Sequence, residues 1–98
     1  MTKLRLPKVL NICGHTIKII YKKKLFHNGS ECWGLYDTEK EIIYLKMGMT
    51  RSQKSEIVLH EAIHAIEHIN NINISEQGVK NLSIGLLGLI KNNKVNFL

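Results

Sequence analysis

Proline is almost missing from this chain, and cysteine, aromatic and acidic residues are all sparse. The single proline in 98 residues, Pro7, leaves no proline-rich linker, and neither internal repeats nor low-complexity segments are present. The two cysteines, Cys13 and Cys32, have no CxxC spacing and read as reduced thiols, with one disulfide between them as the alternative. No long hydrophobic run occurs. The longest nearly apolar stretch, 82–90, is interrupted by Ser83, Gly85 and Gly88 and is about half the length that spans a bilayer, so a membrane protein is not expected. The first residues carry positive charge but no apolar run behind it, which does not read as a secretory signal, and a cytoplasmic location is expected. What is there is an ordinary globular composition, 44% hydrophobic and 22% charged, in a length that suits one domain over residues 1–98 and excludes two separate catalytic lobes.

Acidic residues number 8 against 14 Lys and Arg, and the resulting charge of +6 is unevenly placed. The excess falls in the first half and includes Lys22, Lys23 and Lys24. Such a run can meet a polyanion, but a solvated strand end is the preferred reading, and nucleic acid is not the expected partner.

The first half reads as a small, mostly antiparallel sheet. Val9 to Ile12 and the alternating segment from Thr16 to Lys22 predict a hairpin turning near Gly14, with Ile17, Ile19 and Tyr21 on one face. Asn28-Gly29 is a turn signal, and Cys32 to Tyr36 followed by Glu41 to Met47 predicts a second hairpin through residues 37–40. Helices follow. Thr50 with Gln53 fits a capping box, and Ile57, Leu59, Ala62, Ile63, Ile66 and Ile69 predict an apolar face on a helix that ends near Asn70. Ser75 suits the cap of a second helix, on which Val79, Leu82, Leu86, Leu87 and Ile90 could pack and Gly78, Gly85 and Gly88 would admit a close neighbour. The fold class is therefore α+β.

The chemistry is concentrated in His60-Glu61-Ala62-Ile63-His64, an HExxH pattern on the first helix. With five His and seven Glu, a shuffled chain would contain it only about 0.02 times. On a helix, residues four apart lie about 40° apart round the axis and about 6 Å along it, so both imidazoles can reach one ion. Glu61 points elsewhere and is placed to act as general base towards a water activated by the metal. A third ligand is needed. Asp37 precedes the helix and Glu67 shares it, which leaves Glu76 at the start of the second helix; its other reading is a first-turn carboxylate complementing the helix dipole. Two imidazoles and a carboxylate suit one Zn2+ per chain. His68 reads as a neighbour of the site or a surface residue, and His15 and His27 as surface residues. An oxyanion donor would come from Tyr21, Tyr36, Tyr44 or His68, which sequence does not rank.

With HExxH followed by Glu76 on a second helix, and with sheet preceding helices in so short a chain, the sequence resembles the minigluzincins, minimal soluble members of the gluzincin-type zincin metallopeptidases. That resemblance implies a zinc metalloendopeptidase in which His60, His64 and Glu76 hold the metal and Glu61 is catalytic. Where many gluzincins carry an acidic residue three or four positions after the glutamate, this chain has Val79 and Lys80. Family members are kept latent by a C-terminal segment lying in the cleft, and residues 94–98, with Val95, Asn96, Phe97 and Leu98, match that role in placement. Glu41 to Met47, with Ile43, Tyr44 and Leu45 at its centre, is the expected edge strand that pairs with a peptide or protein substrate or with the chain's own tail. A monomer is expected. The alternative reading is a non-enzymatic basic module that keeps a structural zinc and binds nucleic acid or a partner protein.

Overall fold

A computed structural model describes residues 8–93. Six strands precede two helices: β1 (Val9–Ile12), β2 (His15–Lys22), β3 (Phe26–His27), β4 (Ser30–Glu31), β5 (Gly34–Asp37), β6 (Ile42–Lys46), α1 (Arg51–Asn70) and α2 (Glu76–Asn92). This is the α+β arrangement that the residue pattern predicts.

Local turn chemistry sets the hairpins. Cys13 and Gly14 both take positive φ, 49° and 81°, as a two-residue turn between antiparallel β1 and β2 requires. Asn28 and Gly29 do the same between β3 and β4, at 52° and 80°. Between β5 and β6 the Asp37 carboxylate accepts the backbone N–H groups of Glu39 and Lys40, each at 3.0 Å, which reverses the chain without glycine.

The four long strands are ordered β1-β2-β6-β5. Two pairings are antiparallel, but the central one, β2 with β6, is parallel and sets Lys18 opposite Ile42 and Lys22 opposite Lys46. This corrects the expected edge strand. With β2 on one side and β5 on the other, the backbone of Ile43, Tyr44 and Leu45 is already paired, and Ile43 and Leu45 are fully buried. The free edge beside the helices belongs to β5.

One face of the sheet packs on α1. Ile17 and Ile19 of β2, Tyr36 of β5 and Ile43 and Leu45 of β6 meet Val58 and Ala65 of the helix in a single core. Alternation explains the choice, since the intervening residues of β2 and β6 point the other way. The capping box at the start of α1 is complete: Thr50 Oγ1 accepts from the Gln53 amide at 3.2 Å, and Gln53 Oε1 accepts from the Thr50 amide at 3.0 Å. Replacing Thr50 by Ala should cost about 1 kcal/mol of stability, seen as a lower denaturant midpoint with an unchanged slope.

The buried side of α1 differs from the one its apolar spacing suggests. Val58, Glu61, Ile63 and Ala65 are buried, while Ile66 is half-exposed. The helix lies between two neighbours, the sheet and α2, so no single stripe describes it, and Glu61 falls on the sheet side rather than opposite the core.

Helix α2 is capped by Ser75, whose Oγ accepts from the Gly78 amide at 3.0 Å. Only Val79 and Ser83 on it are buried. Leu82, Ile84, Leu86, Leu89 and Ile90 are 38–60% exposed, and the space where a Gly85 side chain would lie is open to 4 Å. The expected packing through Leu82, Leu86 and Ile90, with glycines admitting a neighbour, is therefore not seen among the described residues, because α1 alone covers this helix and does so near its start. No helix among the described residues is long and apolar enough to cross a membrane.

Candidate metal centre

Residues 71–75 decide where α2 begins. Asn71 ends α1 in the left-handed conformation, φ 54° and ψ 48°, and its N–H together with that of Ile72 returns to carbonyls of the last turn. From Asn70 back to His60 is about 15 Å along the helix axis, a distance that five extended residues can cover. Glu76, the first residue of α2, thereby comes level with the HExxH pair.

Three side chains converge there. His60 Nε2 lies 2.7 Å from Glu76 Oε1, and His64 Nε2 lies 3.3 Å from Glu76 Oε2. The two imidazoles meet edge to face with centroids 5.0 Å apart. One ligand atom from each of the three residues falls within 4.8 Å of the others, a spacing that fits around one cation.

Glu67 refines this picture in a way the motif did not reveal. Its Oε1 accepts from His64 Nδ1 at 2.9 Å, and its Oε2 accepts from the Ile74 backbone N–H at 2.8 Å. With Nδ1 directed at Glu67, the Nε2 of His64 faces a carboxylate oxygen of Glu76. A cation between these two atoms would satisfy both. Glu67 also ties the 71–75 connection to His64, so the same carboxylate orients that imidazole and steers the chain towards Glu76.

Electrostatics separate the two remaining carboxylates. Burial pushes the Glu61 carboxyl above the usual range, against the lowering pull of His60 and His64; Glu76 raises it further, and the Tyr36 backbone amide lowers it. At Glu76 burial acts upward, but the hydrogen bond and charge of His60 and the charge of His64 outweigh it and hold the carboxyl below its ordinary value. One group thus favours taking up a proton and the other favours staying ionised.

Glu61 reaches the sheet because residue 34 is glycine. A Cβ at Gly34 would run into Ile57 Cγ2 and come within 3.2 Å of Glu61 Cγ. Gly34→Ala should therefore destabilise the fold by about 1–3 kcal/mol and move Glu61 away from β5, to be measured by thermal unfolding beside metal content. Cys32, just before this strand, has its thiol pushed up by burial and then by the charges of Glu61 and Glu31. Both cysteines are free thiols.

His64 and Glu76 open onto a cleft of about 450 Å³ that is also lined by Gly34, Tyr36, Glu61 and, from the β3–β4 hairpin, His27. His27, expected at the surface, is exposed on this hairpin and also faces the cleft. Of the oxyanion candidates only Tyr36 lines the cleft, and its hydroxyl lies 3.2 Å from His68 Nδ1. Tyr21 sits beneath Lys54, and Tyr44 lies on the outer face of the sheet beneath Lys22. His15 pairs with Glu41 at 2.8 Å, away from the site. Val95, Asn96, Phe97 and Leu98, expected in the cleft, lie outside the described residues.

Compared with protein-family models, with curated proteins and with solved structures, the chain matches none.

Proposed function

We propose that this protein is a zinc-dependent metallopeptidase of the gluzincin type, with His60, His64 and Glu76 as metal ligands and Glu61 as general base. The observation that carries the reading is the convergence of both HExxH imidazoles on Glu76, with His64 and Glu76 lining the same cleft as the buried Glu61. The donor set fits zinc: two imidazole nitrogens and one carboxylate leave a coordination position open. Bound there, zinc would polarise the scissile carbonyl and acidify water.

The chain's own groups supply the rest. Glu61, its proton affinity raised by burial, accepts the proton of the attacking water and passes it to the departing amine, so no covalent intermediate with the protein is needed. Glu67 keeps the Nδ1 proton of His64 in place and so fixes which nitrogen faces the metal. Substrate is an extended peptide that pairs with the free edge of β5 and runs past Glu61, in the position first assigned to β6.

Metal content of protein purified without chelators tests this directly. One zinc per chain is expected in the wild type and substoichiometric zinc in His60→Ala and Glu76→Ala, together with chelator-sensitive cleavage of unfolded polypeptides. A wild type without stoichiometric metal would remove the basis of the proposal.

A further inference from the structure

The side of the sheet turned away from α1 has no helix on it among the described residues, and its composition is unusual. Register places its side chains in rows. Lys22, Lys46 and Trp33 form one, since Lys46 pairs with Lys22 and its amide donates to the Trp33 carbonyl at 2.9 Å. Ile20, Tyr44 and Leu35 form the next, and Val9, Lys18, Ile42 and Asp37 the third. Trp33, Val9 and Ile20 are exposed, while Tyr44 is half-buried.

Both aromatic rings carry an ammonium group over their faces. Lys22 Nζ is 4.7 Å from the Tyr44 centroid and Lys46 Nζ is 4.4 Å from that of Trp33. Of the acidic residues nearby, Glu31 meets Lys46 at 2.9 Å, and Asp37 at the far end of β5 is occupied with its own turn. Lys23 and Lys24 continue the positive charge beyond β2. Trp33, immediately before β5, and Tyr44 on β6 are two residues out of step, which sets their attachment points about 8 Å apart. That separation suits two successive unstacked bases.

We propose that this outer sheet face binds single-stranded nucleic acid, with Trp33 and Tyr44 stacking bases and Lys18, Lys22 and Lys46 contacting phosphates. Flat rings interleaved with lysines on an open sheet are what unpaired bases require, whereas duplex offers no exposed base faces to stack. A lipid surface would be met by projecting apolar side chains, and here the rings lie beneath ammonium groups. The flexible lysine stems let each ammonium move from ring to phosphate as a base takes its place. The face lies across the sheet from the metal ligands and depends on none of their chemistry.

Trp33 is the only tryptophan, so its fluorescence reports on this face alone. Titrating the full chain with a single-stranded oligothymidylate at about 0.05 M salt should give saturable quenching, weakened about tenfold at about 0.2 M. Lys22→Gln with Lys46→Gln should weaken binding about tenfold and reduce the logarithmic salt slope by about 1.4. Tyr44→Leu should weaken it about fivefold or more. Circular dichroism of each variant checks that the sheet is intact. The proposal is overturned by an absence of binding, by binding without Trp33 quenching, by binding that folded variants leave unchanged, or by preference for duplex or for anionic vesicles over the oligonucleotide.

Discussion

Glu61→Gln should retain one zinc per chain and lose peptide hydrolysis by about 10³-fold. Glutamine keeps the volume and the oxygen beside the Tyr36 amide but cannot accept and return a proton. General-base contributions of about 10²–10⁴ are usual, and the loss should appear in kcat with little change in KM. Full activity in a metal-loaded Glu61→Gln protein would sink the peptidase assignment, whereas loss of metal would show that Glu61 shapes the site instead.

The same substitution has a stability signature in metal-free protein. The native Glu61 carboxyl is raised above its ordinary value by burial. A raised native value means that protonated Glu61 is tolerated in the fold and ionised Glu61 is disfavoured there. Wild type and Glu61→Gln should therefore unfold alike in acid, below the ordinary carboxylate range. As pH rises through the native value the wild type loses stability that the variant keeps. A chelated Glu61→Gln protein that is less stable than wild type at neutral pH would contradict this reading.

Removing the metal should lower the melting temperature by about 15 °C or more, and Glu76→Ala should abolish most of that response. The proposed ligands come from two helices, His60 and His64 from α1 and Glu76 from the first turn of α2, so an ion held there would tie the two helices together beside the packing of Val79 and Ser83. A ligand held at 1,000 times its Kd stabilises by about 4 kcal/mol, and in a domain of this size each kcal/mol moves the midpoint by about 4–8 °C. Glu76 is 74% exposed along its side chain, so its truncation in chelated protein should change little. Equal melting of wild type with and without chelator would mean that no such clasp exists.

Much of the local structure was legible because short-range chemistry dictates it. Asn28-Gly29, Thr50 with Gln53, and Ser75 each act within four residues, and each sits where its chemistry predicts. HExxH was legible for the same reason, being a property of one helix. Features that depend on two distant segments were not. Strand order followed from no periodicity, since Ile43 and Leu45 alternate in the same way whether β6 is central or at an edge. Glu67 was set aside because it shares a helix with His64; its role appears only once residues 71–75 bring the Ile74 amide to its second oxygen. The apolar pattern of α1 was ambiguous because two surfaces cover that helix, and that of α2 was misleading because most of its apolar residues meet no neighbour among the described residues.

The parallel pairing of β2 with β6 has a consequence for how the chain assembles. The hairpins β1–β2 and β5–β6 can each close locally, whereas Lys18 and Ile42 meet only after the intervening segment has looped back. Joining the two hairpins is then the entropically demanding step, and the central residues Ile19 and Ile43 should report it. Truncating either should slow folding more than it speeds unfolding, whereas changes in α2, which docks with two buried side chains, should act mainly on the unfolding rate.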